Sequence, residues 1–260
     1  MRLFFTLSFL WLANILQAQV NDENAYLQSD YIELGINAYG SFITTAETPA
    51  GYVYAADGRG IIADTGMDGW DTGIPAYGGD YVLSDNPLEG FFFEHNGNMF
   101  ANFGSTLNIA GTFDDYMSDE DTVRITWKGE VPDLSGFYIF QEVLLPKDAL
   151  FALVRTTILN ASFEFQYGIK YMRTVNASPD FATGGETQTV NEVISNFPGD
   201  PEAYAVAKGL TAESSKMGIV TRDPRAVVSY GVLDGSSLYS ISDALAGIAP
   251  FTISGNATSD

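Results

Sequence analysis

Apolar and polar residues alternate along most of the chain in short runs, and a period of two is the mark of strands with one buried and one wet face. The cleanest case lies in 122–129, where Val123, Ile125 and Trp127 stand on one face and Arg124, Thr126 and Lys128 on the other. Segments rich in β-branched and aromatic residues read as strands at 31–37, 51–55, 90–95, 105–112, 122–129, 137–145, 150–160, 165–174, 187–194, 203–206, 218–221 and 226–230. Gly, Asp, Asn and Pro separate them, which is the spacing of an antiparallel sandwich or barrel. Within 150–160, Ala152, Val154, Thr156 and Ile158 oppose Phe151, Leu153, Arg155, Thr157 and Leu159. Both sets are largely apolar, so this strand is expected to lie centrally, covered on both sides. The proline turn Pro146-Lys147-Asp148 feeds it, and residues 122–174 read as a meander of four strands. A helix is supported only over 240–246, at most about two turns. The expected fold is all-β, an antiparallel β-sandwich with long Gly/Asp-rich loops.

The first residues depart from this pattern. Met1-Arg2, the apolar run Leu3 to Ile15, and Leu16-Gln17-Ala18-Gln19 read as a secretory signal peptide over 1–18, cut after Ala18. The run is shorter than the roughly 20 apolar residues a membrane span needs, and no second long one follows, so membrane insertion is not expected. Residues 19–30 read as a polar lead-in and 31–260 as one β-sandwich domain, with no internal repeat. The final Gly255-Asn256-Ala257-Thr258-Ser259-Asp260 reads as neither strand nor sorting signal, which suggests the N-terminal fragment of a longer protein.

Composition narrows the partners. Twelve basic residues face 33 acidic ones for a net charge of -21, although only 17% of residues are charged, so the imbalance reflects scarce Lys and Arg. Nucleic acid needs clustered cations and is excluded as a partner. Neutral glycans, cations, basic proteins and a cell-surface partner stay open. With no cysteine there is no disulfide, zinc-thiolate site or thiol chemistry, and one histidine leaves little room for histidine catalysis.

Several phrases resemble the N-terminal β-rich region of large secreted or surface multidomain proteins of gliding-type Gram-negative bacteria, exported by the type IX route. They are Gly79-Asp80 through Glu89-Gly90-Phe91, Ile125-Thr126-Trp127-Lys128-Gly129, Thr156-Thr157-Ile158-Leu159-Asn160-Ala161-Ser162, Tyr171-Met172-Arg173-Thr174, and Asp223-Pro224-Arg225-Ala226-Val227. The strand ending in Asn160-Ala161-Ser162 also looks like the supersandwich of galactose-mutarotase-like domains. That family's catalytic histidines have no counterpart, since His95 is the only histidine. The resemblance therefore implies a fold, a secreted or cell-surface location and no assigned catalytic residue.

Two loops carry candidate chemistry. Between Asp57 and Asp71, four carboxylates and four glycines fall within fifteen residues. Hard oxygen ligands on a flexible loop suit calcium, with Asp64, Asp68 and Asp71 as candidate ligands; the other reading is a solvated turn-rich loop. The acidic run from Asp114 to Asp121 reads as a solvated hairpin tip. Trp70, beside Asp71, is either an exposed platform for a neutral glycan or a buried anchor, with Tyr77 and Tyr81 as further platforms. Phe91, Phe92 and Phe93 read as core, and His95 as a lone surface or loop histidine.

These observations point to a non-catalytic extracellular module for adhesion or glycan binding, with calcium as a candidate stabiliser. The rival is a carbohydrate-active enzyme of supersandwich type, a glycoside hydrolase or polysaccharide lyase, built on Glu142, Arg155, Tyr171 and Arg173. A spacer without a ligand is the third reading.

Overall fold

The computed structural model describes residues 17–21, 23–52, 57–70, 77–83, 88–180, 187–211 and 215–259. In chain order the strands are β1 (Gln17–Asn21), β2 (Asn24–Gln28), β3 (Ile32–Ile36), β4 (Thr44–Glu47), β5 (Asp57–Arg59), β6 (Ile61–Asp64), β7 (Tyr77–Asp80), β8 (Glu89–His95), β9 (Asn98–Phe103) and β10 (Thr106–Leu107). There follow β11 (Gly111–Ser118), β12 (Thr122–Glu130), β13 (Phe137–Pro146), β14 (Leu153–Asn160), β15 (Ile169–Val175), β16 (Thr189–Ser195), β17 (Ala203–Gly209), β18 (Lys216–Thr221), the helix α1 (Ile241–Ala246) and β19 (Gly255–Ser259). They form sheets ordered β1-β2-β3-β6-β7, β10-β9-β8-β15, β11-β12-β13-β14 and β18-β17-β16-β19, with β4-β5 as a small ribbon. Every pairing between these strands is antiparallel.

The central sheet is β11-β12-β13-β14. One half of its inner face, Val123, Ile125, Val143 and Leu145, packs on Ala25, Leu27, Ile32, Leu34 and Ile36 of β2 and β3. The other half, Trp127, Phe137 and Ile139, packs on Phe91 and Phe93 of β8. The far face of β8 is buried too, because Phe92 meets Ile241 of α1 and Tyr239. This explains why Phe91-Phe92-Phe93 lacks alternation: both faces of the strand are covered. Trp127 is fully buried, and its indole NH donates to the carbonyl of Ala38 at 2.8 Å. Glycine makes room for the ring: a Cβ at Gly111 or Gly129 would stand 2.4 or 2.5 Å from it.

The predicted helix is present, capped by Ser240, whose hydroxyl accepts from the amide of Asp243, and closed by Gly247 in the left-handed region. Five expectations change. Residues 19–30 are not a lead-in: β1 and β2 occupy them, with Ala25, Tyr26 and Leu27 fully buried. The meander over 122–174 breaks after three strands, because β15 leaves to pair with β8, Tyr171 opposite Phe93. β14 ends its sheet instead of lying centrally. Residues 226–230 form only a bridge, Tyr230 with Thr252, while 255–259 form β19. The expected strand 51–55 falls largely outside the described residues.

Candidate functional site

The Gly/Asp-rich segment after Asp57 folds around its own carboxylates. β5 and β6 occupy its first half, and Arg59 is fully buried against the equally buried Glu33. Asp64 is buried at the end of β6. Its Oδ2 accepts the amides of Asp68, Gly69 and Trp70 at 2.8, 2.9 and 3.2 Å, and Oδ1 accepts that of Gly66 at 3.2 Å. Positive φ at Met67 and Trp70, 54° and 69°, curls the backbone around this carboxylate. Backbone nests of this kind bind anions, and here the anion is the chain's own side chain. Asp64 is therefore engaged by amides, the side chain of Asp68 is exposed, and Asp71 lies outside the described residues. No group of three or more metal-ligating acidic or histidine side chains gathers among the described residues.

Asp80 repeats the device from β7. It accepts the amides of Gly60, Ile61, Val82 and Leu83 at 2.6, 3.2, 2.9 and 3.0 Å. Burial pushes its carboxyl above the usual range, and the four amides work against that rise.

Of the expected glycan platforms, Trp70 is half-buried and its indole NH donates to the carbonyl of Ser29 at 3.2 Å. This ties the loop to the β2–β3 turn, the role of an anchor. Tyr81 is 4% exposed, so it offers no face to a sugar: the turn held by Asp80 swings it inward. Tyr77 lies on β7 opposite Asp64.

The four residues considered for catalysis separate into two groups. On the outer face of the central sheet, Glu142 bonds Arg155 at 2.5 Å, with Arg124 at 3.6 Å. Between the sheets, Arg173 bonds Glu89 at 2.6 Å and Gln141 at 2.6 Å, and lies over the Phe42 ring at 4.0 Å. Tyr171 stacks on Phe91 beside it, at 5.6 Å between ring centres. Gln141 and Glu142 are neighbours on β13 and so point to opposite faces, which divides the set. Burial raises the carboxyl of Glu89 against the opposing pull of Arg173 and the Phe42 amide, and burial also raises the Tyr171 hydroxyl.

His95 is buried at the end of β8, not at the surface, with its ring 6.2 Å from that of Phe137 and Nε2 2.7 Å from the Gln166 amide oxygen. Glu94 turns the other way, to Lys170 at 2.5 Å, as alternation requires.

A concentration of exposed apolar residues lies elsewhere, at residues 150–169. Leu150, Phe151, Leu153 and Leu159 are exposed along β14 and its approach. The following loop presents Phe163, Phe165 and Tyr167 at 109%, 88% and 66% exposure. Asn160 shapes that loop: its Nδ2 donates to the Glu164 carbonyl at 2.8 Å and its Oδ1 accepts from the Ser162 amide at 3.0 Å. The signal was present in Phe163-Glu164-Phe165-Gln166-Tyr167, a strict alternation that reads equally well as the start of a half-buried strand.

No helix among the described residues is long and apolar enough to cross a membrane. The chain matches no family model, no curated protein and no solved structure.

Proposed function

We propose that the chain is a non-catalytic extracellular β-sandwich module of a secreted or cell-surface protein, working in adhesion through the apolar surface of residues 150–169. The observation that carries this reading is the outward display of Phe163, Phe165 and Tyr167 beside the exposed leucines of β14. Exposed apolar residues concentrated in one segment point to an interaction site, whereas scattered single ones do not. The Met1–Gln19 pattern supports export. The separation of Glu142 and Arg155 from Tyr171 and Arg173 counts against the carbohydrate-active enzyme, whose acid and base must meet at one bond.

The test compares beads coated with the chain for retention on bacterial cells and on a neutral-polysaccharide film. Changing Phe163→Ser together with Phe165→Ser is expected to cut retention at least about tenfold, with the melting temperature unchanged because both rings are solvent-facing. Retention equal to the parent chain removes the reading. Release of new reducing ends from polysaccharides would replace it with the enzyme. Calcium enters only through Asp68 and Asp71, since amides engage Asp64. A melting temperature raised by millimolar calcium relative to chelator supports that part, and coincident transitions remove it.

A further inference from the structure

We infer that β14 is a self-association edge, on which a second copy of the chain pairs antiparallel about Thr156 to join two four-stranded sheets into one. This rests on the adhesive reading of the same surface and names its partner.

The first observation is that β14 pairs only with β13 among the described residues, so its other edge presents unpaired backbone groups. Sheet edges usually carry charges, bulges, Pro or very short strands that deter pairing. The opposite edge of this sheet does: β11 bears Asp114 and a register shift between Asp114 and Tyr116. Elsewhere β10 has two residues, and β18 carries Lys216 and Gly218. β14 has eight residues with no Pro or Gly, and its only charge, Arg155, is held by Glu142 of the same sheet.

The second observation is the symmetry of the strand. With Thr156 opposite itself, Leu153 faces Leu159 of the second copy, Val154 faces Ile158, and Arg155 faces Thr157. The outer-face pair joins two exposed leucines, the inner-face pair two half-buried β-branched residues, and no like charges stand directly opposite. The same register sets Phe151 against Ala161 and Leu150 against Ser162 of the second copy. The exposed aromatic loop of each copy is thereby brought to the exposed Leu150-Phe151 of the other.

Area favours this occupant. Phe151, Phe163, Phe165 and Tyr167 together offer on the order of 600 Å2 per copy at roughly 200 Å2 per full ring. A standard interface takes about 800 Å2 per partner, and strand pairing adds the leucines and backbone. Three of the twelve cations, Arg124, Lys128 and Arg155, stand on the outer face that would become continuous. The net charge of -21 opposes association from a distance, so the dimer is expected to tighten with salt.

Sedimentation of the chain from about 1 to about 100 μM in about 0.5 M NaCl reads the mass against the 28.2 kDa monomer. A dimer is expected, weakened about tenfold or more near 0.05 M NaCl. Leu153→Lys with Leu159→Lys places like charges opposite each other at both leucine pairs and is expected to weaken the dimer about 100-fold or more. Leu153→Lys with Leu159→Glu places opposite charges there and is expected to restore it to within about tenfold of the parent. A monomer throughout, or both double variants behaving alike, overturns the pairing. If such a monomer still loses bead retention on Phe163→Ser with Phe165→Ser, the adhesion reading stands and only the homophilic partner falls.

Discussion

Arg59→Met is expected to destabilise the protein by about 3–5 kcal/mol, because it leaves the carboxylate of Glu33 buried without its counter-charge. Both side chains are fully buried. Glu33 also accepts from the Gln28 amide at 2.7 Å, Arg59 donates to the Thr48 hydroxyl at 3.2 Å, and its guanidinium lies 5.7 Å from the Tyr52 ring centre. The cluster fixes β2, β3 and β5 together, and Gly35 lets it close: a Cβ there would stand 2.7 Å from the Arg59 carbonyl oxygen. Removing both charges at once, Glu33→Leu with Arg59→Met, leaves no isolated ion. It is expected to cost well under the sum of the single changes. Denaturant unfolding of the parent, the two single variants and the double variant measures the coupling. A loss below about 1 kcal/mol for each single change would show that water reaches the pair.

Alternation located the elements well where one face is buried and one is wet. Val123, Ile125 and Trp127 declared β12, and Ser240 with Gly247 delimit α1 through local hydrogen bonds. Strand partners were less legible, because a period of two assigns faces and not neighbours. Residues 165–174 follow β14 closely, yet Arg173 finds its place opposite Phe91, brought there by the ion pair with Glu89 and by packing on Phe42. Nor does the period separate a face covered by the same chain from one left exposed. Leu153 and Leu159 read as core from composition and are exposed in the structure. The Asp/Gly loop reads as calcium ligands or as a solvated turn, because amides and a cation attract the same oxygens through the same residue types. Only the backbone course shows Asp64 facing four N–H groups. β2 escapes the sequence reading for a simpler reason: it holds only Ala25, Tyr26 and Leu27 between polar ends, too short a run to register against its surroundings.

Asp80→Asn is expected to cost about 2–4 kcal/mol, and its pH dependence tells which of two opposing forces governs this carboxylate. Oδ2 accepts the Gly60 amide, while Oδ1 accepts those of Ile61, Val82 and Leu83. Asparagine has one oxygen, so its NH2 group must face at least one of these buried donors, leaving both unsatisfied. Asp80→Ala removes all four acceptor contacts and is expected to cost more. Burial disfavours the charged carboxylate and the amides favour it, with burial prevailing, so the folded protein holds the proton more tightly than the unfolded chain. The Asp80 contribution to stability is then greatest below the ordinary aspartate value of 3.8 and declines as pH rises through the elevated folded value. The asparagine variant cannot titrate there, so its deficit relative to the parent should widen as pH falls from neutral toward that value. Glu89 and the net charge of -21 add slopes of the same sign, but both are shared by parent and variant and cancel in the difference. A deficit that narrows on acidification would mean that four amides outweigh burial, and that Asp80 is held as an anion.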